Sequence, residues 1–278
     1  MNAASALSTA ARTTVCVLRT RLWTAIVALP LVLAIVLFAP ARWFTIFIGM
    51  LTMWGLYEVA EMFRVRDPIR LLILTVVGAG FAIAMLCGFD IGWGFAAIVI
   101  LVASANVWML GRNDPERLAN NRFVNIFAAS LWVGVLFPYF ALLRNSRGGV
   151  PTLILMLLLV VVSDSGAYFV GKSVGRSKLA PMVSPNKTIE GAVGGLVACV
   201  LAGAILWPWL APNLRLWSLA LLAVCVGLLS QLGDLAGSAF KRIAGVKDSG
   251  WLFPGHGGLL DRTCSLVFPA VFTYYYLR

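Results

Sequence analysis

The chain has 278 residues, of which 61% are hydrophobic and only 12% charged, and its mean hydropathy is +0.92. Soluble globular proteins carry about 25% charged residues, so this composition excludes them and indicates an integral membrane protein. The net charge of +11 would suit nucleic-acid binding, but the positions of the basic residues account for it in another way.

Nine apolar runs follow one another along the chain, each near the ~20 residues that cross a bilayer as a helix. They predict an all-α polytopic integral membrane protein with about nine transmembrane helices, at residues 23–40, 43–62, 70–87, 92–110, 124–143, 151–171, 189–210, 215–235 and 265–277. We interpret the first run as a retained span, because it contains Pro30 and lacks a clear small-residue cleavage site.

The basic residues are shared unevenly between the two sides of the predicted bundle. With a cytoplasmic N-terminus, 17 of the 22 fall in cytoplasmic segments and five fall on the other side: Arg42, Arg144, Arg147, Arg215 and Arg278. This positive-inside asymmetry explains the net charge without a nucleic-acid partner. The size of the chain favours a bacterial inner membrane, where the basic cytoplasmic surface would attract anionic membrane lipids.

The two halves of the chain differ in where their polar residues lie. Residues 1–150 form plain apolar spans with acidic residues only in or near loops, and we interpret them as scaffold. Residues 151–278 place Asp164, Lys187 and Asp234 at the ends of apolar runs. Ionisable groups at membrane depth are costly and by default mark a functional site. We therefore predict one membrane domain whose catalytic spans and cytoplasmic loops lie in the second half.

The stretch GDLAGSAFKR places Asp234, Ser238 and Lys241 at positions i, i+4 and i+7, beside Arg242. A helix would present the first three on one face. A carboxylate, a hydroxyl and two cations suit a site for phosphate and metal. The alternative is an ordinary helix end, whose basic residues complement the C-terminal helix dipole.

The loop VKDSGWLFPGHGGLLDR follows and favours a phosphate site. Its glycines would let backbone N–H groups approach an anion closely. Asp261 begins the last span, and together with Asp234 it could share Mg²⁺, which prefers oxygen ligands. The surrounding cations offer charge-assisted hydrogen bonds to a polyphosphate: Lys241, Arg242, Lys247 and Arg262. His256 is the only histidine, so a multi-histidine zinc site is excluded, and we expect it to contact a phosphate or organise the loop.

The stretch SPNKTIEG predicts a turn at Ser184-Pro185-Asn186, followed by a helix that Asn186 or Thr188 caps. The N-terminus of that helix would attract an anion, with Lys187 beside it. The alternative is an ordinary helix start, which the acidic Glu190 in the first turn fits well.

The residues from Ser238 to Arg262 are very similar to the signature of the CTP-dependent phosphatidate cytidylyltransferases, the CDP-diacylglycerol synthases. That signature reads S-x-x-K-R, four residues, K-D, a short gap and H-G-G-x-x-D-R, and the chain matches it at the expected spacing. The stretches DSGAYFVGKSVGR, SPNKTIEG and LRTRLWTAIVALP also resemble the family at corresponding positions. The resemblance therefore covers nearly the whole chain and is specific.

The resemblance implies a nucleotidyltransferase that condenses CTP with phosphatidic acid to CDP-diacylglycerol and pyrophosphate. It also implies Asp234 and Asp261 as a Mg²⁺ pair, with Asp164 a candidate for a second cation or for the cytidine. We assign catalysis to Asp234, Asp261, Lys241 and Arg262. We assign substrate binding to Lys187, Ser184, Asn186, Ser238, Arg242, Lys247, Asp248, His256 and Asp164. Family analogy alone suggests a homodimer.

Cys264 departs from the family pattern, in which a second aspartate usually stands two residues after D-R. The chain could therefore be a low-activity homologue. A CTP-dependent lipid-alcohol kinase is another alternative, but it needs a base for the alcohol, and the full K-R to D-R run argues against it. An ion-coupled transporter predicts polar residues through the midplane of several spans, whereas here they cluster at the cytoplasmic ends.

Overall fold

The fold is nearly all-α, as the apolar runs predict. A computed structural model describes residues 26–27, 30–88, 92–111, 122–253 and 257–278. Within these ranges residues 30–38 are helical, and they are followed by α1 (Ala41–Met62), α2 (Pro68–Leu86), α3 (Gly92–Gly111), α4 (Arg122–Leu136), α5 (Tyr139–Asn145), α6 (Gly149–Val174), α7 (Ile189–Leu210), α8 (Leu216–Ile243) and α9 (Leu260–Leu277). Two short strands, β1 (Lys178–Ala180) and β2 (Ser184–Thr188), form an antiparallel hairpin between α6 and α7.

Several of these helices have the length and composition of membrane spans. Within the described ranges, five apolar helical segments are long enough to cross a bilayer: Ala41–Met62, Phe123–Asn145, Gly149–Val174, Ile189–Leu210 and Leu216–Ile243. Gly92–Trp108 is a shorter apolar helix. These segments confirm a polytopic membrane protein, because each of them coincides with a predicted span.

Two helices differ from the predicted spans. The span predicted at 124–143 is present as the apolar segment Phe123–Asn145, but it is interrupted at residues 137–138, because α4 ends at Leu136 and Pro138, which has no backbone N–H to donate, precedes α5. The span predicted at 215–235 continues as α8 to Ile243. Its 28 residues extend about 42 Å, which exceeds the ~30 Å hydrocarbon core of a bilayer. The end of α8 can therefore project beyond the lipid.

The hairpin corrects one local prediction and confirms another. The turn predicted at Ser184-Pro185-Asn186 is wrong, because these residues belong to β2 and the turn occupies 181–183. Both strands of a two-stranded sheet are edge strands, where proline is tolerated. The helix start is confirmed, with Thr188 as the capping residue: its hydroxyl accepts the backbone N–H of Gly191 at 3.1 Å.

Glycines bring α6 and α7 into close contact beside the hairpin. A Cβ atom on Gly191 would lie 2.7 Å from the carbonyl oxygen of Ala167, and one on Gly195 would lie 2.6 Å from that of Ser163. Small residues one turn apart are typical of tightly packed membrane helices. This contact brings the polar end of α6, with Asp164, next to the start of α7.

A similar pair of glycines joins α8 to α9. A Cβ atom on Gly233 would collide with the backbone carbonyl of Cys264, and one on Gly237 would lie 2.7 Å from the Cys264 side chain. The hydrophobic core continues from this contact into the first half of the chain, with Trp132, Tyr139 and Phe240 fully buried. The second half is therefore packed against the first through one core.

Candidate active site

A cavity of about 610 Å³ lies where the polar ends of α6, α7, α8 and α9 meet the hairpin. Six charged residues line it: Asp164, Lys172, Lys187, Asp234, Asp261 and Arg262. Apolar surface from Ala167, Tyr168 and Leu179 completes part of the wall. Residues far apart in the sequence therefore converge on one concave site, which is where ligand sites usually occur.

Lys187 and Asp234 form an ion pair inside the cavity. The Nζ atom of Lys187 lies 2.6 Å from Oδ2 of Asp234, and the two side chains keep 27% and 38% of their surface exposed. Asp234 lies about 27 Å along α8. Because both side chains are partly exposed, the pair can contact water and a charged ligand in the cavity.

The hairpin is fixed to α8 by a small hydrophobic contact. Val183, in the turn, is fully buried against Leu235 and Ala239 of α8. Arg242 adds a hydrogen bond from its Nε atom to the Val183 carbonyl at 3.3 Å. Because the turn is held here, β2 presents Lys187 to Asp234. Arg242 thus has a structural partner, and it does not line the cavity.

Asp164 adds a third carboxylate. It lies on α6, about 22 Å from the start of that helix, and its side chain points into the cavity. It interacts electrostatically with Asp234 and Lys187 and hydrogen-bonds to Ser265 of α9. The side chains of three helices and the hairpin are therefore coupled at this point.

Asp261 is held by several donors at the start of α9. Its Oδ1 atom lies 2.6 Å from Nζ of Lys241, and its Oδ2 atom accepts the backbone N–H groups of Ser249 and Gly258, both at 2.9 Å. Burial alone would raise the pKa of Asp261, but the hydrogen bonds from Lys241 and the two N–H groups hold its pKa below the ordinary value. Asp261 is therefore a fixed carboxylate anion.

The loop between α8 and α9 gives Asp261 this environment. α8 ends at Ile243, and Gly245, with φ +72°, follows it in a Schellman arrangement: Val246 N–H donates to the Lys241 carbonyl at 2.9 Å. Gly257 also has a positive φ, +86°, and a Cβ atom there would lie 2.6 Å from Oδ2 of Asp261. Glycine is required at this position both for the backbone conformation and for the approach to the carboxylate.

Glu58 lies beside the loop that holds Asp261, although the sequence analysis did not assign it to the site. It lies on α1, is 2% exposed, and accepts hydrogen bonds from the loop before α9. The signal that could have found it is an acidic residue inside the apolar stretch WGLYEVAEMF, one turn before the end of α1. Its contacts with the loop are with residues about 200 positions later, which no local pattern reveals.

The predicted site residues fall into three groups. Asp164, Asn186, Lys187, Asp234, Asp261 and Arg262 line the cavity, and Lys241 contacts it through Asp261. The others that the structure describes do not line it: Ser184, Ser238, Arg242, Lys247 and Asp248. His256 lies outside the described residues. The roles of all of these residues stay predictions.

The cavity wall carries oxygen donors of the chemical type that magnesium prefers. Asp164, Asp234 and Asp261 offer carboxylate oxygens, the ligands that Mg²⁺ prefers. No group of three or more His, Cys, Asp or Glu residues within the described parts of the chain has the geometry to hold a metal alone. Mg²⁺ usually completes its coordination with water and substrate phosphates, so two carboxylates would be enough.

Cys264 lies away from the cavity wall, between α8 and α9. It is 2% exposed, and its thiol donates to the Leu260 carbonyl one turn earlier in α9. Gly237 leaves the space that the Cys264 side chain fills. The residue that departs from the family pattern is therefore a packing residue in this structure.

Residues 19–278 match the cytidylyltransferase family. The chain belongs to this family. The match includes both halves and every residue that lines the cavity. Scaffold and cavity therefore belong to a single family unit.

The chain is also similar to curated members of known name. It is 33% identical over 268 residues to a phosphatidate cytidylyltransferase of Staphylococcus haemolyticus (strain JCSC1435), covering 90% of this chain and 95% of that protein. It is 41% identical over 156 residues to a phosphatidate cytidylyltransferase of Staphylococcus aureus (strain COL), covering 54% of this chain and 59% of that protein.

Proposed function

We propose that the protein is a CTP:phosphatidate cytidylyltransferase, which condenses CTP with phosphatidic acid to CDP-diacylglycerol and pyrophosphate in phospholipid biosynthesis. The observation that carries the proposal is the convergence of Lys187, Asp234, Asp261 and Arg262 on one cavity in a chain of the cytidylyltransferase family. The name of a similar protein that matches 90% of this chain supports phosphatidate as the lipid substrate.

The composition of the cavity wall suits an amphiphilic substrate together with a nucleotide. Its charged residues can hold phosphate groups, while Ala167, Tyr168 and Leu179 provide apolar surface for the glycerol and acyl parts of a lipid. Lys187 and Arg262 are cations directly on the wall. They would form charge-assisted hydrogen bonds with the triphosphate of CTP.

The reaction is an in-line displacement at the α-phosphorus of CTP. A phosphate oxygen of phosphatidic acid forms the new P–O bond, the bond to the β-phosphate breaks, and pyrophosphate leaves with the electron pair. A phosphate monoester is already largely dianionic near neutral pH, so no strong general base is required. The residues of the chain act by positioning the phosphates and stabilising the negative charge that develops.

Two carboxylates would hold the magnesium ion in this reaction. Asp234 and Asp261 are the proposed ligands, and Asp164 is the candidate for a second cation or for the cytidine. When bound, Mg²⁺ supplies electrostatic stabilisation of the phosphate oxygens. Lys241 and the loop N–H groups hold Asp261 in place before any substrate arrives. Lys187 neutralises Asp234 until phosphates enter the cavity.

We further propose a nine-span arrangement with a cytoplasmic N-terminus and a cavity that faces the cytoplasm of a bacterial cell. The positive-inside distribution of basic residues supports this orientation. The position of Asp234 about 27 Å along α8 supports a site at one membrane surface. A homodimer stays a prediction from family analogy.

The first experiment measures turnover of radiolabelled CTP by the purified protein in detergent with phosphatidic acid and Mg²⁺. We expect CDP-diacylglycerol and pyrophosphate in equal amounts, and no product with EDTA. Asp234→Asn and Asp261→Asn should each lower turnover about 100-fold or more, because each removes a charge that binds the metal. The matched control is Glu61→Gln, an exposed carboxylate on α1, which should stay within about two-fold of wild type.

Other results would identify the alternatives. Transfer of the γ-phosphate of CTP to a lipid alcohol would identify a lipid-alcohol kinase. A wild-type protein that is inactive until Cys264→Asp is introduced would be a disabled homologue. If no variant turns over CTP and the protein conducts ions in liposomes at a rate that Asp234→Asn changes, the protein is a transporter and not an enzyme.

A further inference from the structure

Glu58 lies in the half of the chain that we interpreted as scaffold, yet it contacts the loop before α9. Its Oε1 atom accepts the backbone N–H of Leu259 at 2.7 Å and the indole N–H of Trp54 at 3.1 Å. Its Oε2 atom accepts the N–H of Leu260 at 3.0 Å and the hydroxyl of Ser249 at 2.9 Å. A buried carboxylate persists only where its acceptors are satisfied, and three of these four donors belong to one loop and helix start.

Glu58 caps α9 from a distant part of the chain. The first N–H groups of a helix have no partner within the helix, and Leu259, which precedes α9, provides no side-chain cap. The Glu58 carboxylate acts as the cap instead, because it accepts the two consecutive N–H groups of Leu259 and Leu260. Its negative charge is also favourable at the positive end of the helix dipole. The start of α9 is therefore held by α1.

Ser249 connects Glu58 to Asp261. Its hydroxyl lies 2.9 Å from Oε2 of Glu58 and 3.1 Å from Oδ2 of Asp261. Its backbone N–H donates to the same Asp261 oxygen at 2.9 Å. Because a hydroxyl has a single proton to donate, the two carboxylates share it. A change at Glu58 therefore alters the hydrogen bonding of Asp261.

Two glycines allow the loop to close around Glu58. A Cβ atom on Gly250 would lie 2.7 Å from Oε1 of Glu58, and one on Gly258 would lie 2.5 Å from Oε2. Gly258 is the second glycine of the H-G-G motif. The close approach of the backbone to the Glu58 carboxylate gives a physical reason for the absence of a side chain there.

We propose that Glu58 is a positioning residue for cytidylyl transfer, which holds Asp261 in its metal-binding geometry through Ser249 and the first turn of α9. This inference rests on the proposed function. Glu58 does not line the cavity, so it acts through Asp261 without touching the substrate.

The test compares Glu58→Gln with Glu61→Gln, an exposed residue three positions later on the same helix. Glutamine keeps the size of the side chain but replaces one acceptor oxygen with an NH₂ group that faces donors. We expect the Glu58 variant to bind Mn²⁺, followed by electron paramagnetic resonance without substrates, about 10- to 100-fold more weakly. Its kcat should fall by a similar factor, with the KM for phosphatidic acid within about two-fold of wild type. The Glu61 variant should match wild type in all three measurements.

Ser249→Ala is the second variant, since it breaks the connection without changing any charge. It should weaken Mn²⁺ binding in the same direction, and the double variant with Glu58→Gln should lose less than the product of the two single effects. If Glu58→Gln does not fold, the Mn²⁺ affinity and kcat of Ser249→Ala still test the inference. Reduced thermal stability with Mn²⁺ affinity and kcat unchanged would show that the Glu58 network is only structural and would overturn the inference.

The Mn²⁺ measurement also separates this inference from the proposed function. A wild-type protein that binds Mn²⁺ in a Glu58-dependent manner, but forms no CDP-diacylglycerol, would support the positioning role and overturn the cytidylyltransferase proposal. Normal turnover by Glu58→Gln would support the proposed function and overturn the positioning role.

Discussion

Lys187 has one partner in the free protein and a different one in the proposed substrate complex. In the structure it pairs with Asp234 at 2.6 Å, and both side chains are partly exposed. A partly exposed ion pair contributes about 0–1 kcal/mol to stability, so the pair is a weak stabilising element. The triphosphate of CTP would compete for Lys187, which contacts Oδ2 of Asp234, and both oxygens of Asp234 would then be available to the metal ion.

We predict that Lys187→Met lowers kcat/KM for CTP by about 100-fold and leaves thermal stability nearly unchanged. The matched control is Lys178→Met, which removes an exposed lysine from the other strand of the same hairpin, outside the cavity lining. Steady-state kinetics at varied CTP and a thermal unfolding scan would check both variants. Equal effects of the two substitutions on kcat/KM would contradict a specific role for Lys187.

The sequence predicts Lys187, Asp234 and Asp261 as site residues because each lies in a short motif whose chemistry is visible locally. Glu58 is different, since its loop partners Ser249, Leu259 and Leu260 lie 191 to 202 positions away. An acidic residue in an apolar run indicates a buried partner, but it does not say which one. Only the packing of α1 against the loop before α9 identifies it.

Among the elements, the long helices could be predicted from the sequence and the hairpin could not. A run of about 20 apolar residues satisfies its backbone hydrogen bonds only as a helix in lipid, so composition is enough. β1 and β2 have three and five residues and no clear apolar alternation. Their pairing depends instead on Val183, which is buried against α8.

The contact between α8 and α9 sets the position of Asp234 relative to Asp261. We predict that Gly233→Ala destabilises the protein by about 1–3 kcal/mol, because the added Cβ would collide with the backbone of Cys264. CTP turnover should fall as well, since Asp234 is the next residue on α8. Thermal unfolding and turnover of the purified variant would measure the two effects.

Gly80→Ala is the control for this substitution. Gly80 also lies in a helix, α2, but a Cβ atom there would have nothing within 4 Å. Alanine in a helix interior is favoured over glycine by roughly 0.5–1 kcal/mol, so this variant should be as stable as wild type or more so. If Gly233→Ala unfolds at the wild-type temperature, the close contact of α8 with α9 is not required for stability.

At the scale of the whole molecule, the residues of the family signature are held in place by contacts with both halves of the chain. Leu259, in the signature, donates its backbone N–H to Glu58 of α1, and Arg242, earlier in the signature, hydrogen-bonds to Val183 of the hairpin. Trp132 of α4 packs against Phe240 of α8, which is also in the signature, with ring centroids 5.5 Å apart. The first half is therefore a scaffold that also determines the geometry of the site.

The proposed orientation predicts which parts of the chain face outward. Cys87 is exposed at the end of α2, which the nine-span arrangement places on the outer side, whereas the hairpin with Lys178 lies on the cytoplasmic side. A membrane-impermeant maleimide applied to intact cells or spheroplasts should label wild type at Cys87 and should not label Cys87→Ser. Lys178→Cys, in the Cys87→Ser background, should be labelled only after permeabilisation.

The other cysteines set the background of this measurement. Cys199 and Cys264 are buried and Cys225 is half-buried within the apolar part of α8, so they should react slowly with a polar reagent on either side. Cys16 lies outside the described residues, and Cys87→Ser without Lys178→Cys measures its labelling after permeabilisation. Labelling of Lys178→Cys in intact cells would place the hairpin, and with it the cavity, on the outer side. Because CTP is made in the cytoplasm, that result would contradict the proposed function as well as the orientation, and the cavity would need a substrate from outside the cell.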